Sequence, residues 1–280
     1  MLPRAQSRSM TVDGLIPALS AVIQAFLLVA GVYIYVSLLR QIAARPPNAE
    51  IPPARTFGWP EAVIAVLLTS FFLLTLAGAS THNASRMRSL DLVASGALTI
   101  GLLLAVAGFL RLRRFDLNLI GGFSRIGFFR TVVTGAILIL AAYPLIFLAD
   151  IVTQRLLRSP PQRQAIVEMF SESTTLEQRI LIIVLAVSLA PLAEEFIFRF
   201  FIYGVARRYF GRFIGVLVSS LLFAAVHAHL PSFAPLFVLG TCFAIAYEWS
   251  GSILVPMTMH ALFNGITLTA LAFPEFVQQQ

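Results

Sequence analysis

The sequence has little charge, a single cysteine and no lysine. Only 12% of its 280 residues are charged, about half the share of roughly 25% found in soluble domains. A disordered chain or a coiled coil needs more charge, and a disulfide-stapled secreted domain needs more cysteine than Cys242 alone. These three classes are therefore excluded. What is present is 58% hydrophobic residues, arranged in runs long enough to cross a bilayer.

The basic residues are all arginines, 20 in number. They lie at the ends of apolar runs, for example at Arg111, Arg113 and Arg114. Arginines in such positions typically contact lipid headgroups and set topology. Because no soluble segment carries a basic stripe with interleaved aromatics, we expect the lipid bilayer as a partner and no nucleic acid.

The apolar runs predict an all-α polytopic membrane protein with about eight transmembrane helices. A helix needs about 20 apolar residues to cross a hydrocarbon core of about 30 Å. The first run is too long for a signal peptide and has no clear cleavage site, so it is predicted to be an uncleaved anchor. The predicted spans are residues 14–39, 61–80, 90–110, 128–150, 178–206, 212–230, 232–248 and 252–273.

Proline and polar residues mark the connectors. Five prolines in residues 41–60 forbid a continuous helix there. Residues 151–177 form the longest polar connector and contain a short amphipathic stretch from Ala165 to Phe170, while residues 115–127 suit an interfacial segment. The predicted organisation is N-terminal membrane helices and loops (1–177), helices that carry the polar site (178–273) and a C-terminal tail (274–280).

Very few polar groups lie inside the predicted spans. By this assignment Glu194, Glu195 and Arg199 are the charged residues well inside a span, and His227 and His260 lie within or near the ends of others. A charge at mid-bilayer costs at least ~2.5–3.5 kcal/mol, so such residues pair or face a cavity and usually mark function. This cluster is the sharpest functional signal in the chain.

The spacing of these residues gives them a geometry. Glu195 and Arg199 are four residues apart and share one helix face, whereas Glu194 is rotated away by about 100°. His260 and Asn264 have the same spacing, so both can donate hydrogen bonds towards one point, as stabilising an oxyanion requires. With a carboxylate to activate water, the set supplies what amide hydrolysis needs.

A depth comparison tests whether these groups can meet. At about 1.5 Å per residue, Glu194 and His260 can lie level near the bilayer midplane. His227 is shallower, within about one turn of the end of its span. We therefore expect helix tilt or a break at Pro191 to bring His227 to the others.

Structural roles are the alternative for each residue. A Glu195–Arg199 pair can simply hold two helices in register, an intramembrane histidine is most often a helix–helix contact, and Phe223 is interpreted as packing. Other protease chemistries lack their residues in this sequence. There is no H-E-x-x-H motif, no serine in a Gly-x-Ser-Gly context within a span, and no pair of intramembrane aspartates.

At these residues the chain resembles the CPBP family, the CAAX proteases and bacteriocin-processing (ABI) membrane proteins. The family pattern E-E-x-x-x-R, F-x-x-x-H and H-x-x-x-N/D matches, in order, Glu194-Glu195…Arg199, Phe223…His227 and His260…Asn264. The resemblance covers about residues 180–268, and the first ~175 residues carry no recognised motif.

The resemblance implies an intramembrane endopeptidase of a bacterial plasma (inner) membrane, acting on a CAAX-like or membrane-anchored peptide substrate. It implies that Glu194 and His227 activate water and that His260 and Asn264 form the oxyanion hole. Glu195 and Arg199 would support this site.

Two questions stay open at this point. A mechanism without a cofactor is favoured, and the alternative is a divalent metal, zinc, bound by Glu194, His227 and His260. The alternative function is a non-proteolytic transporter or scaffold that uses the buried set for proton coupling or helix registry.

Overall fold

The computed structural model describes residues 12–45, 56–79, 89–157, 165–173 and 175–273. Within these ranges the structure is helical and contains no β-strand, which confirms the all-α class. The predicted tail 274–280 and residues 46–55 of the proline-rich connector lie outside the described residues. The helices are α1 (Val12–Ala43), α2 (Trp59–Ala79), α3 (Ser89–Leu112), α4 (Leu117–Gly121), α5 (Phe128–Leu157), α6 (Ala165–Glu172), α7 (Leu176–Val184), α8 (Ala190–Glu195), α9 (Tyr203–Val226), α10 (Phe233–Ser250) and α11 (Leu254–Ala272).

Seven helical runs among the described residues are long and apolar enough to cross a membrane. Their outer faces carry large apolar side chains with no protein neighbour, for example Phe26 at 71% exposure and Leu74 at 72%. Lipid tails solvate such faces, and the helix satisfies its own backbone polar groups. The chain is an integral membrane protein, as predicted.

The longest run, Leu176–Val226, has 51 residues and folds back on itself at Gly211. Gly211 has φ 83° and ψ 172°, a conformation that glycine adopts without steric cost. Beyond it, Ser219 Oγ donates a hydrogen bond to the Phe198 carbonyl at 2.8 Å, so the second arm packs against the first. Counted as two, the arms correspond to the fifth and sixth predicted spans, in agreement with the predicted total of about eight.

Helix α10 is the most deeply buried of the spanning helices and packs against α1, α5, α9 and α11. Gly240 on α10 lets the Arg199 side chain lie against the helix backbone, since Arg199 Nη2 donates to the Gly240 carbonyl at 3.2 Å. Helix α11 packs against α5 and against a π-helical turn, Leu185–Leu189, that precedes α8. The three motif-bearing segments therefore converge around α10.

The connectors agree with the prediction in part. The amphipathic stretch beginning at Ala165 forms α6, and the interfacial stretch contains the short helix α4. Residues 151–157 were predicted to be connector, which is wrong, because α5 continues to Leu157. Leu156, at 77% exposure, keeps an apolar surface at that end of the helix.

Candidate active site

A cavity of about 390 Å³ lies between α3, α8, α10 and α11. It is lined by four of the six predicted site residues, namely Glu194, His227, His260 and Asn264. Its other walls are mostly apolar side chains, among them Leu92, Leu185, Leu189, Leu236 and Phe263. The remaining two predicted residues, Glu195 and Arg199, lie behind this cavity and are completely buried.

Glu195 joins two helices behind the cavity. Its Oε1 accepts a hydrogen bond from Arg199 Nη1 at 2.9 Å, the pairing that the spacing predicts. The same oxygen lies 2.9 Å from Nδ1 of His260 on α11. Because an ionised carboxylate only accepts, this contact assigns a hydrogen to His260 Nδ1 and fixes the orientation of the ring. We call Glu195, Arg199 and His260 the Glu195 centre.

Glu194 points away from this centre into the cavity, as its rotation on the helix predicts. Its side chain is 28% exposed, and its Oε2 lies 4.0 Å from His260 Nε2. Oε2 is buried yet has no hydrogen-bond partner in the described part of the chain. Glu195 Oε2 also lacks a hydrogen-bond partner, but of the two glutamates Glu194 lines the cavity, so its partly exposed carboxylate is the one available to a ligand.

His227 follows the end of α9 and lines the same cavity. Its Nδ1 lies 2.7 Å from the Phe223 carbonyl, and a carbonyl can only accept, so Nδ1 carries a hydrogen. In the neutral ring, Nε2 then has a lone pair for a water or substrate proton. The Phe223 ring contacts the imidazoles of His227 and His260 and covers the Arg199 guanidinium, with 4.2 Å from Cζ to the ring centroid.

Asn264 reaches a backbone carbonyl that the helix itself leaves without a donor. In the π-helical turn, the Ala190 N–H donates to Leu185 instead of Ala186, and Pro191 has no N–H to offer. Asn264 Nδ2 donates to the Ala186 carbonyl at 2.7 Å and takes the place of those donors. One of its two amide hydrogens is therefore used structurally.

Of the two alternatives, helix tilt and a break at Pro191, the structure does not contain the break. Ala190 keeps helical angles, φ −62° and ψ −50°, and the chain continues as a helix through Pro191. Pro191 cannot donate a backbone hydrogen bond, and the helix accommodates this with the π-helical turn Leu185–Leu189 that precedes it. A second π-helical turn, Phe196–Ile202, follows α8. Such turns are common at functional sites. Pro191 indicated a distortion at this point of the sequence, but as a break and not as a π-helical turn.

A metal site does not fit the side chains as they lie. Among the described residues, no group of three or more His, Cys, Asp or Glu side chains is placed to hold a metal ion. The hydrogen bond from His260 Nδ1 to Glu195 does not argue against a metal, because a metal-binding histidine commonly donates its other ring N–H to a carboxylate. Glu194, His227 and His260 line one cavity, but they do not form a ligand set.

Two further buried carboxylates, Glu61 and Glu248, lie outside this cavity and were not predicted. Glu248, near the end of α10, is 7% exposed and binds Arg207 Nη1 at 2.8 Å and Arg212 Nε at 2.9 Å. Tyr203 also donates its hydroxyl to Glu248. We call these four residues the Glu248 centre. Its sequence signal is weak, since an acid at the end of an apolar run is usually exposed.

Comparison with known families agrees with this geometry. Residues 176–266 match the family described as Type II CAAX prenyl endopeptidase Rce1-like. That segment contains all six predicted site residues and the π-helical turns. This segment therefore resembles the Rce1-like CAAX endopeptidases, and the match does not extend to the rest of the chain.

Proteins similar to this segment occur in bacteria. The chain is 33% identical over 98 residues to the membrane-embedded CAAX protease MroQ of Staphylococcus aureus, covering 32% of this chain and 40% of the relative. It is 30% identical over 102 residues to the putative membrane peptidase YdiL of Bacillus subtilis, covering 36% and 42%. The matches thus span about 40% of the length of these relatives. They support the predicted location in a bacterial plasma membrane.

No solved structure matches the chain. The family match stops short of α1 to α6, so the division at residue 177 stays a prediction supported only by where the match begins.

Proposed function

We propose that the chain is an intramembrane endopeptidase that hydrolyses a peptide bond of a membrane-associated substrate. One observation carries the proposal, namely the partly exposed Glu194 carboxylate, which lines a cavity together with two histidines and an asparagine. The match of this segment to a family of CAAX endopeptidases supports the reaction type.

Glu194 activates the water. A water between Glu194 and the substrate gives its proton to the carboxylate, and the resulting hydroxide attacks the carbonyl carbon of the peptide bond. His227, with its Nε2 lone pair turned from the Phe223 carbonyl, accepts a second hydrogen bond from the same water. The water is therefore oriented by two acceptors.

His260 and Asn264 stabilise the oxyanion that this attack produces. Asn264 has a second Nδ2 hydrogen beyond the one that Ala186 accepts. His260 can offer an Nε2 hydrogen only when both ring nitrogens are protonated, because its Nδ1 hydrogen is held by Glu195. Glu195 is then the counter-ion of an imidazolium, and Arg199 orients Glu195. Donors of this kind typically contribute about 10²–10³-fold to the rate.

The reaction closes with the proton that Glu194 took from water. Collapse of the tetrahedral intermediate breaks the C–N bond, and the Glu194 carboxyl gives its proton to the leaving nitrogen. The products are a carboxylic acid and an amine, and Glu194 returns to its ionised form. No step is routed through a metal.

The substrate class follows from the walls of the cavity and from the names of the relatives. The cavity is lined mainly by apolar side chains of α3, α10 and α11, which suit an apolar or lipid-bearing segment. A relative is named as a CAAX protease. We therefore propose a CAAX-like or membrane-anchored substrate that enters from the bilayer.

A Glu194→Gln substitution tests the proposal. The amide keeps the size of the side chain but cannot accept a proton, so we expect a loss of about 10²–10⁴-fold in turnover. The assay uses purified protein in liposomes with a reporter peptide fused to a membrane anchor. Glu177→Gln, which removes an exposed carboxylate from the first turn of α7, is the matched control.

The same variant identifies substrates, since Glu194→Gln keeps the cavity and should retain uncleaved protein after crosslinking. Full proteolysis by Glu194→Gln contradicts the proposed mechanism. Proton-coupled transport by wild-type protein with no peptide product favours the transporter hypothesis instead.

A further inference from the structure

A second cavity, of about 400 Å³, lies among the helix ends that surround the Glu248 centre. Arg45, just beyond α1, donates from Nη1 to the Glu248 carbonyl at 2.8 Å and from Nη2 to the Trp249 carbonyl. The Ile253 N–H donates to the Gly121 carbonyl at 2.9 Å, which ties the start of α11 to α4. These contacts gather several helix ends at one level.

This cavity is distinct from the catalytic one. Its lining includes Tyr203 and Gly204, whereas the catalytic cavity is lined by Glu194. Nine residues separate Glu194 from Tyr203, or about 14 Å along a helix. A ligand at the helix ends therefore makes no contact with the catalytic groups.

The lining of the second cavity carries a strong excess of positive charge. Four arginines, Arg45, Arg125, Arg207 and Arg208, share it with one acidic side chain of the described residues, Glu248. Glu248 already binds Arg207 and also binds Arg212, which lies outside the lining. Like charges held close together repel, so this excess favours an anion in the cavity.

Two of the arginines, Arg45 and Arg125, lie against the backbone. Gly251 has φ 65°, and a Cβ there would overlap Nη1 of Arg125, so the guanidinium lies against the glycine. Arg45 is fixed by its two carbonyl acceptors. No carboxylate in the described ranges forms an ion pair with Arg125 or Arg208. Fixed guanidinium groups match the oxygens of a phosphate by paired hydrogen bonds.

The surroundings indicate where the anion comes from. Trp59 and Tyr209 pack together near the same helix ends, with ring centroids 5.9 Å apart, and Trp249 lies at the end of α10. Trp and Tyr concentrate at the level of lipid headgroups. Phe57 and Leu119 add an apolar wall to the cavity, against which an acyl chain can lie.

We propose that this cavity binds a phosphate group and that the headgroup of an anionic phospholipid supplies it. The proposal does not depend on the proteolytic activity. A free phosphate ion has the same recognition chemistry, so the experiment distinguishes the two sources.

Binding is measured on delipidated, detergent-purified protein by the shift of thermal unfolding during titration. The ligands are dihexanoyl-phosphatidylglycerol below its critical micelle concentration, dihexanoyl-phosphatidylcholine, and inorganic phosphate, all at constant ionic strength. We expect saturable binding of the phosphatidylglycerol. Its affinity should fall about tenfold or more in Arg125→Gln/Arg208→Gln, because two charge-assisted hydrogen-bond donors are lost. Arg111→Gln/Arg130→Gln removes the same charge from exposed arginines outside the cavity and is the matched control.

Equal binding of inorganic phosphate at the same concentrations supports the phosphate site with a soluble source. Binding of phosphatidylglycerol alone supports the lipid source. If neither phosphatidylglycerol nor inorganic phosphate binds saturably, the proposal is overturned. Equal weakening of phosphatidylglycerol binding in both double variants also overturns it. Arg208→Gln alone, which changes an exposed side chain, serves if the double variant does not fold.

Discussion

The Glu195 and Glu248 centres use the same chemistry in different surroundings. In each, a buried carboxylate binds arginine and one further donor, His260 or Tyr203. Arg199 is completely buried, whereas the side chains of Arg207 and Arg212 are 30% and 39% exposed.

The difference lies in what stands beside each centre. Next to Glu195 is a second carboxylate, Glu194, whose side chain is 28% exposed and lines a cavity. Glu248 has no such neighbour in the described part of its helix, and each of its carboxylate oxygens has a donor. Burial of charge alone therefore does not identify a catalytic group. The informative feature is a partly exposed carboxylate that lines a cavity beside a buried ion pair.

The largest stability effect should separate the two centres. Arg199→Met leaves Glu195 buried without its cation, a change that typically costs about 3–5 kcal/mol. Arg212→Met removes a half-exposed partner while Arg207 still binds Glu248, so we expect about 0–1 kcal/mol. Chemical unfolding in mixed micelles measures both.

A matched variant distinguishes the loss of the ion pair from a general failure to fold. Glu195→Gln/Arg199→Met removes both charges and should recover much of the stability lost in Arg199→Met, since no uncompensated charge remains. Equal destabilisation by Arg199→Met and Arg212→Met would remove the distinction between the centres.

Helix periodicity explains why much of the site could be predicted. The Glu195–Arg199 pair and the outward turn of Glu194 follow from 3.6 residues per turn, and the bilayer thickness determines the approximate number of spans. The contact between Glu195 and His260 joins residues 65 positions apart. The two residues belong to separate motifs on different helices, so the sequence indicates that they share a site but does not show that they are in contact.

Other features depend on how the helices dock, and no local pattern encodes that. Glu248 is the last residue of the predicted span 232–248, and its burial depends on arginines from another helix. The structural use of Asn264 requires α11 to lie beside the π-helical turn. Gly211 was correctly placed between two spans, but its positive φ and the sharp reversal appear only in the structure.

A smaller effect tests the idea that satisfied and unsatisfied buried groups behave differently. Asn264→Leu should leave the Ala186 carbonyl without its donor, at a cost of about 1–3 kcal/mol. Pro191→Ala restores an N–H five residues after Ala186, so the same Asn264→Leu change should cost less in that background. A double-mutant cycle of unfolding free energies measures the coupling, which we expect to exceed about 0.5 kcal/mol. Strict additivity would mean that Asn264 does not complete the hydrogen bonding of this turn.

The smallest expected effect is that of metal removal, and it bears directly on Glu194. If a metal ion occupied the cavity, Glu194 Oε2 would be a ligand, and the contrast with the fully bonded Glu248 would disappear. The described side chains do not form a set of three metal ligands. We therefore expect dialysis against 1,10-phenanthroline and EDTA to leave proteolysis by the reconstituted protein unchanged. Loss of activity that returns on adding zinc, and that does not occur with the non-chelating 1,7-phenanthroline, would instead make Glu194 a metal ligand and require a different mechanism.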